Sequence, residues 1–314
     1  MTTATAENPV FVYGALRSGT TVFRLMLDSH IAVFNPGEVD PIFDHLHRDA
    51  SGVWRYDLTA LRENRVFQNR GLTIPEGLDG TALLDNFLDQ LRGRGQGVFT
   101  LNIHRGIGRA MELLPNARVI HMLRDPRDVA RSSIGMGWAA NTYHGVDHWI
   151  GTERDWDAAA GRIPPESVLD LRYEALLNDL EGQLRRVCDF LGIAFAPGML
   201  DYHLSSSYGP PDPKLVEQWR RKAAPHELSL LEGKIGDLLE GRGYVPSGHS
   251  PALPGTFERL RLSLGDRLGR WRAAAKRFGL WTMVMEKLTR RLGLKDANRV
   301  YRKRMNATIA KTLK

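Results

Sequence analysis

The chain of 314 residues has a single cysteine, no long apolar run and few acidic residues in its last fifth. Each scarcity excludes something. The lone Cys188 rules out an intramolecular disulfide framework and suits a reducing compartment. Its setting, Val187-Cys188-Asp189-Phe190-Leu191, reads as a buried structural thiol. No apolar stretch reaches the roughly 18 residues that a membrane-spanning helix needs. The first part of the chain lacks a basic segment followed by an apolar one, so no signal peptide is expected. A cytoplasmic location follows as the expectation. Hydrophobic content of 42% and charged content of 25% are ordinary for a globular protein and exclude a disordered or fibrous one. The length allows one large α/β domain or two modest ones.

The overall charge of +7 hides an asymmetry. Residues 253–314 hold 17 Lys and Arg against 4 Asp and Glu, a net of +13. Residues 1–252 hold 26 against 32, a net of −6. The basic character thus belongs to a C-terminal segment and not to the body of the chain.

Hydrophobic patterning gives the organisation. Val10-Phe11-Val12-Tyr13 reads as a strand, followed by a glycine-containing turn and a helix with Val22, Leu25 and Met26 on one face. Residues 35–95 are rich in turn formers and read as irregular or short helices. Further strands are expected at Val98–Ile103, Arg118–Leu123 and Ser167–Arg172, each followed by a helical pattern. Pro126 falls in the first turn of the helix after the third strand, where its missing N–H costs little. Alternating strands and helices imply an α/β fold: a P-loop-type, doubly wound parallel sheet flanked by helices. The body of the chain, residues 1–247, reads as the main domain. Residues 248–314 read as a basic amphipathic helical extension behind a linker-like stretch at 245–256. From Phe257 to Leu292 apolar residues recur every three or four positions, and Gly265, Gly269, Gly279 and Gly293 are expected to break this stretch into two or three helices. Its apolar face suits either an anionic membrane surface, contacted through residues 257–292, or the main domain itself or a second subunit in a homodimer. Nucleic acid is not expected, since no recognition motif accompanies the charge.

The turn Gly14-Ala15-Leu16-Arg17-Ser18-Gly19-Thr20-Thr21 stands where a doubly wound sheet binds ligands, at the carboxyl end of a strand. Its N–H groups, hydroxyls and arginine favour an anion. The lysine and metal-binding serine of a Walker sequence are absent, which argues against a nucleoside-triphosphate kinase.

Arg17-Ser18-Gly19-Thr20-Thr21 resembles the 5′-phosphosulfate loop of sulfotransferases that use 3′-phosphoadenosine 5′-phosphosulfate (PAPS), in particular the bacterial carbohydrate and tyrosylprotein branches. Arg124-Asp125-Pro126-Arg127-Asp128-Val129-Ala130-Arg131-Ser132 resembles their 3′-phosphate segment, with Arg124 and Ser132 at the positions that grip the phosphate. Leu171-Arg172-Tyr173-Glu174-Ala175-Leu176 resembles the segment whose tyrosine, here Tyr173, reaches the same phosphate. Arg127 and Asp128 read as structural. The resemblance covers roughly residues 8–244 and implies a sulfotransferase with PAPS as co-substrate, no metal, and a small-molecule, carbohydrate or lipid-like hydroxyl acceptor.

Sulfuryl transfer demands in-line positioning, charge stabilisation and a base for the acceptor hydroxyl. Glu38 follows Arg17 by 21 residues, the spacing of the catalytic glutamate in those branches, and is the expected base. His104, just after the second expected strand, is the alternative, since another branch uses histidine; His30 reads as a capping or packing residue. Arg17 stands where some relatives have lysine and would neutralise the sulfuryl oxygens. One departure is Leu101-Asn102-Ile103-His104-Arg105, which lacks the Lys-x-Pro of many relatives and leaves Arg105 as a substitute. Trp219-Arg220-Arg221 resembles a late segment that folds over the nucleotide, and Trp138, Tyr143, His144, His148 and Trp149 are candidates for the acceptor side. The competing functions are a P-loop kinase and a non-catalytic, membrane-attached nucleotide-binding module, which would not need Glu38.

Overall fold

The computed structural model describes residues 8–206 and 208–312; the outermost residues of the two expected domains, 1–7 and 313–314, lie outside the described residues. Among the described residues there are seven strands: β1 (Val10–Tyr13), β2 (Val33–Phe34), β3 (Leu46–Arg48), β4 (Trp54–Tyr56), β5 (Val98–Ile103), β6 (Arg118–Leu123) and β7 (Val168–Arg172). Five form one sheet in the order β2-β5-β1-β6-β7, and every pair is parallel. The fold is therefore α/β with a parallel sheet, as the strand–helix alternation implies.

Parallel sheets are buried on both faces, and β1 shows how. Phe11 and Tyr13 point into one core with Phe43, Phe87, Leu101 and Trp156. Val10 and Val12 point into the other with Phe23, Leu27, Leu171, Leu184 and Cys188. Cys188 is fully buried, in keeping with a structural thiol.

The stretch 35–95 is more ordered than its turn formers suggest. It holds an antiparallel hairpin, β3 with β4, and a 13-residue helix, Gly80–Arg92. Asp79 caps that helix by accepting the Gly80 N–H at 2.7 Å, and its carboxylate also takes the Tyr56 N–H at 2.9 Å. One side chain thus ties the hairpin to the helix. Leu83, Leu84, Phe87, Leu88 and Leu91 then face the core at helical spacing.

The described residues divide into two compact units. The first comprises the described residues among 8–125 and 148–218 and contains the sheet. The second comprises residues 126–147 and 219–312 and is helical. Its last part consists of helices Thr256–Phe278, Leu280–Arg291 and Lys295–Thr312. Gly279 (φ 80°) and Gly293 (φ 68°) separate these helices. The expected breaks at Gly265 and Gly269 do not occur: both lie inside one 23-residue helix. The reason at Gly269 is packing, since a Cβ there would stand 2.2 Å from the Ala140 methyl. That close approach offsets the roughly 1 kcal/mol that glycine costs within a helix.

In the first unit, His121 of β6 is buried between two carboxylates, with Asp170 Oδ1 at 3.0 Å from Nδ1 and Glu153 Oε2 at 3.3 Å from Nε2. Its ring stacks on Trp156 with centroids 4.1 Å apart. Burial opposes the charged ring, but Asp170 and Glu153 outweigh it and raise the His121 pKa from 6.5. A raised folded-state pKa stabilises below the unfolded value and loses that contribution as pH rises through the folded one. Accordingly, His121→Asn is expected to lower the melting temperature more at about pH 6 than at about pH 9. Equal losses at both, read by thermal unfolding, mean that the ring contributes packing and not charge.

Candidate active site

The chain leaves β1 at Gly14, where a Cβ would stand 2.4 Å from the Met122 carbonyl oxygen of the neighbouring β6. Only glycine lets the loop pass so close to that strand. The Ser18 N–H donates to the Ala15 carbonyl at 3.0 Å and closes a turn. Arg17 (φ 75°) and Gly19 (φ 93°) both adopt left-handed backbone. For an arginine this conformation costs about 1–3 kcal/mol and recurs at functional loops. Gly19 has a second constraint, since a Cβ would meet the Tyr173 ring at 2.3 Å. Helix Thr20–Asp28 starts at once, so its unpaired N–H groups belong to the same turn. Ser18 is fully buried and its Oγ has no hydrogen-bond partner. Thr20 is buried and Thr21 half-buried at the helix start.

Arg124 stands one residue beyond β6 and is 7% exposed. Its Nη1 donates to the Arg17 carbonyl at 2.8 Å, and its guanidinium lies over the Tyr173 ring, 4.4 Å from the centroid. Its Nε has no partner. The indole N–H of Trp149 donates to the Arg124 carbonyl at 3.1 Å, and His148 Nε2 donates to Leu16 O at 2.9 Å. Burial lowers the Arg17 pKa, and the neighbouring Arg124 charge lowers it further. Two guanidinium groups, an orphaned hydroxyl and a run of amides converge on one turn, which is the chemistry of a site for a multiply charged anion. Tyr173, Arg17, Gly19 and Arg124 are thus brought together. Ser132 stands on helix Pro126–Gly135 of the second unit.

The two candidate bases are neighbours. Glu38 sits in an extension of the sheet: its backbone bridges to Asn102, with the Val39 N–H on Asn102 O at 3.0 Å and the Asn102 N–H on Gly37 O at 3.2 Å. The Asn102 side chain accepts from Asn35 Nδ2 at 2.8 Å and donates to Thr20 O at 3.3 Å, tying this extension to the loop helix. His104 Nε2 lies 3.6 Å from Glu38 Oε1. The opposite nitrogen, Nδ1, donates to Gly14 O at 2.8 Å, and the His104 backbone N–H is held by Asp40 Oδ1 at 2.7 Å. The His104 side chain is 3% exposed and that of Glu38 43%. Of the two, the carboxylate is the more accessible.

The imidazole of His104 lowers the Glu38 pKa below the ordinary 4.5, with Arg70 and Arg65 adding to the effect. Burial opposes a charge on His104, yet Glu38 and Asp40 outweigh it and raise its pKa above 6.5. Both shifts favour carboxylate beside imidazolium.

Other candidates have defined partners. His30 is buried, with Nε2 on Ala194 O at 2.7 Å and Nδ1 accepting the Ala32 N–H at 3.0 Å. Arg105 turns to Asp44, with Nε on Oδ2 at 2.9 Å. In the second unit, the Trp219 N–H donates to Asp128 at 2.9 Å and its ring carries the Arg127 guanidinium at 3.6 Å. Asn35, Asp40 and Asn102, which orient the candidate bases, escape a reading by motif. Only Asn102 carries a signal, its alternation with His104 at the end of a largely apolar strand.

A family model described as "Sulfotransferase family" matches residues 9–197. Among curated relatives, the omega-hydroxy-beta-dihydromenaquinone-9 sulfotransferase of Mycobacterium tuberculosis is 33% identical over 177 residues, 49% of this chain. The match spans 41% of that enzyme's length. Among solved structures, the sulfotransferase domain of the Synechococcus PCC 7002 olefin synthase superposes with a TM-score of 0.56 at 20% identity, covering 76% of this chain and 96% of that domain. The sulfotransferase domain of the Curacin biosynthetic pathway gives 0.54 at 18% identity, covering 79% and 99%.

Proposed function

Since the chain belongs to the sulfotransferase family, we propose that it transfers a sulfuryl group from PAPS to an acceptor hydroxyl, with Glu38 as the general base. The observation that carries this reading is the meeting, at the carboxyl ends of β1, β5 and β6, of a cationic loop with unsatisfied donors and a half-exposed carboxylate. Bound there, PAPS would supply the activated sulfuryl group. The loop amides, the Ser18 hydroxyl and Arg17 would hold the 5′-phosphosulfate and stabilise charge developing on its oxygens. Arg124, stacked on Tyr173, would hold the 3′-phosphate through its free Nε–H; Ser132 is assigned to that phosphate by the sequence resemblance alone. Glu38 would accept the acceptor's proton, while His104, hydrogen-bonded to Gly14, would keep that carboxylate ionised and oriented toward the loop. His104 is therefore a positioning residue. The acceptor is the hydroxyl of a small molecule or lipid, a class that includes the hydroxylated menaquinone of the mycobacterial relative.

Thermal shift decides between this reading and a kinase. The protein is expected to be stabilised by 3′-phosphoadenosine 5′-phosphate and not by ATP with magnesium. The reverse preference overturns the donor assignment. Turnover is then read with labelled donor against a panel of hydroxylated lipids, sugars and phenols.

Arg124→Ala gives the residue-level test. Losing a charge-assisted contact costs about 1.5–3 kcal/mol, roughly 10–150-fold in affinity for the bisphosphate. Adenosine 5′-phosphosulfate, which lacks the 3′-phosphate, should bind the variant and the parent about equally. Calorimetric titration showing the same loss for both nucleotides would remove Arg124 from the 3′-phosphate.

A further inference from the structure

Helix Thr256–Phe278 is amphipathic, yet it packs within its own unit by its polar and small-residue side. Asp266 Oδ1 accepts the Ala140 N–H at 2.8 Å, and Leu262 O accepts from Asn141 Nδ2 at 3.0 Å. Gly269 lies against Ala140, and the Ala273 methyl stands 3.0 Å from where a Cβ on Gly137 would be. Positions 262, 266, 269 and 273 follow helical steps and define the inward face. The opposite face carries Phe257, Leu260, Leu264, Leu268 and Trp271, which are 81%, 55%, 57%, 48% and 38% exposed. Helix Leu280–Arg291 repeats the arrangement: Met283 and Thr289 are buried, while Leu280, Trp281, Val284 and Leu288 face outward. Of the 20 large apolar side chains exposed among the described residues, 13 lie between Leu253 and Val300. Such a concentration marks an interaction surface, because monomeric proteins rarely leave large apolar patches in water.

We propose that the outward faces of these two helices dock the protein on an anionic lipid bilayer. The charge selects this occupant. The segment 253–314 carries a net of +13, and Arg259, Arg267, Arg272 and Lys276 are exposed on the helix that bears the stripe. A second copy brought face to face would set two such segments against each other at the cost of like-charge repulsion. Lipid headgroups of negative charge complement the basic residues, and the acyl boundary takes the Leu, Phe and Trp side chains. Trp271 and Trp281 are amphipathic rings suited to the headgroup level. Among the described residues no helix is long and apolar enough to cross a membrane, so the helices lie along the surface. The proposal does not depend on sulfuryl transfer, and a failure of one leaves the other standing.

Flotation of the full chain tests it, using phosphatidylcholine vesicles with and without about one-third phosphatidylglycerol. Binding is expected only to the anionic vesicles, falling by about tenfold or more when salt rises from roughly 0.05 to 0.5 M. The doubles Leu264→Ser with Trp281→Ser, and Arg267→Glu with Arg272→Glu, change exposed side chains and should keep the parent melting temperature. Each should lower vesicle binding by at least about tenfold. Absence of binding to anionic vesicles overturns the proposal, as does equal binding to neutral ones. So does a concentration-dependent dimer in light scattering that the Leu264→Ser, Trp281→Ser double abolishes, because a second copy then covers the stripe.

Discussion

Replacing Glu38 by glutamine is expected to lower turnover by about 10²–10⁴-fold, the usual scale for losing a general base. Binding of 3′-phosphoadenosine 5′-phosphate should stay near that of the parent. The split follows from placement. Glu38 is held in the sheet extension by backbone bonds to Asn102, which the glutamine variant keeps. The unpartnered buried donors, Ser18 Oγ and Arg124 Nε, lie on other segments of the chain. The pH profile carries a second sign. Because His104 lowers the Glu38 pKa from 4.5, the parent's acid limb should lie below that value. His104→Gln removes the imidazolium, so the Glu38 pKa rises and the acid limb moves to higher pH, with a smaller loss at neutral pH than for Glu38→Gln. Near-normal turnover in Glu38→Gln would sink the assignment. An unmoved acid limb in His104→Gln would reduce the histidine to a packing role.

The loop was legible in sequence because its determinants are local. A four-residue apolar strand, a glycine turn and an amphipathic helix follow one another without interruption, and Arg17 to Thr21 supply the chemistry within five positions. Arg124 was legible for the same reason: strand, arginine and proline-started helix are contiguous. The environment of the bases was not. The Glu38 bridge to Asn102 joins backbone 64 positions apart and forms only when β5 enters the sheet. A turn-rich composition also hid the hairpin of β3 and β4, because Asp49, Ser51 and Gly52 form its short turn and leave strands of only three residues. Such strands carry too few alternations to show a period. The C-terminal helices show the opposite difficulty. Their period was plain, but periodicity shows which residues share a face and not which face meets the protein. In Thr256–Phe278 it is the side with Asp266 and Gly269 that packs, against the simple expectation that the apolar stripe goes inward.

Breaking the buried pair of Arg127 and Glu232 is expected to destabilise the second unit by about 3–5 kcal/mol. Nη1 of Arg127 donates to Glu232 Oε1 at 2.7 Å, and both side chains are almost fully buried. The same Nη1 donates to Val245 O at 3.0 Å, while Glu232 accepts the Ser247 N–H at 3.0 Å and its hydroxyl at 2.9 Å. The stretch that reads as a linker is therefore pinned at its start, and pinned again where the Ala252 N–H meets Ser229 O at 2.9 Å. Removing either partner leaves an uncompensated charge without water, which costs more than the pair contributes net. Arg127→Met and Glu232→Leu should each lower the urea midpoint of the transition reported by the second unit and speed proteolysis between residues 245 and 256. The double replacement Arg127→Met with Glu232→Leu should recover much of the loss, since neither charge then remains buried. The cycle separates two explanations. Recovery in the double means that the single-variant losses come from stranded charge. Additive losses mean that the pair is required for packing Trp219, whose ring lies 3.6 Å beneath the Arg127 guanidinium, and that the helix carrying Ser132 is held by that stack.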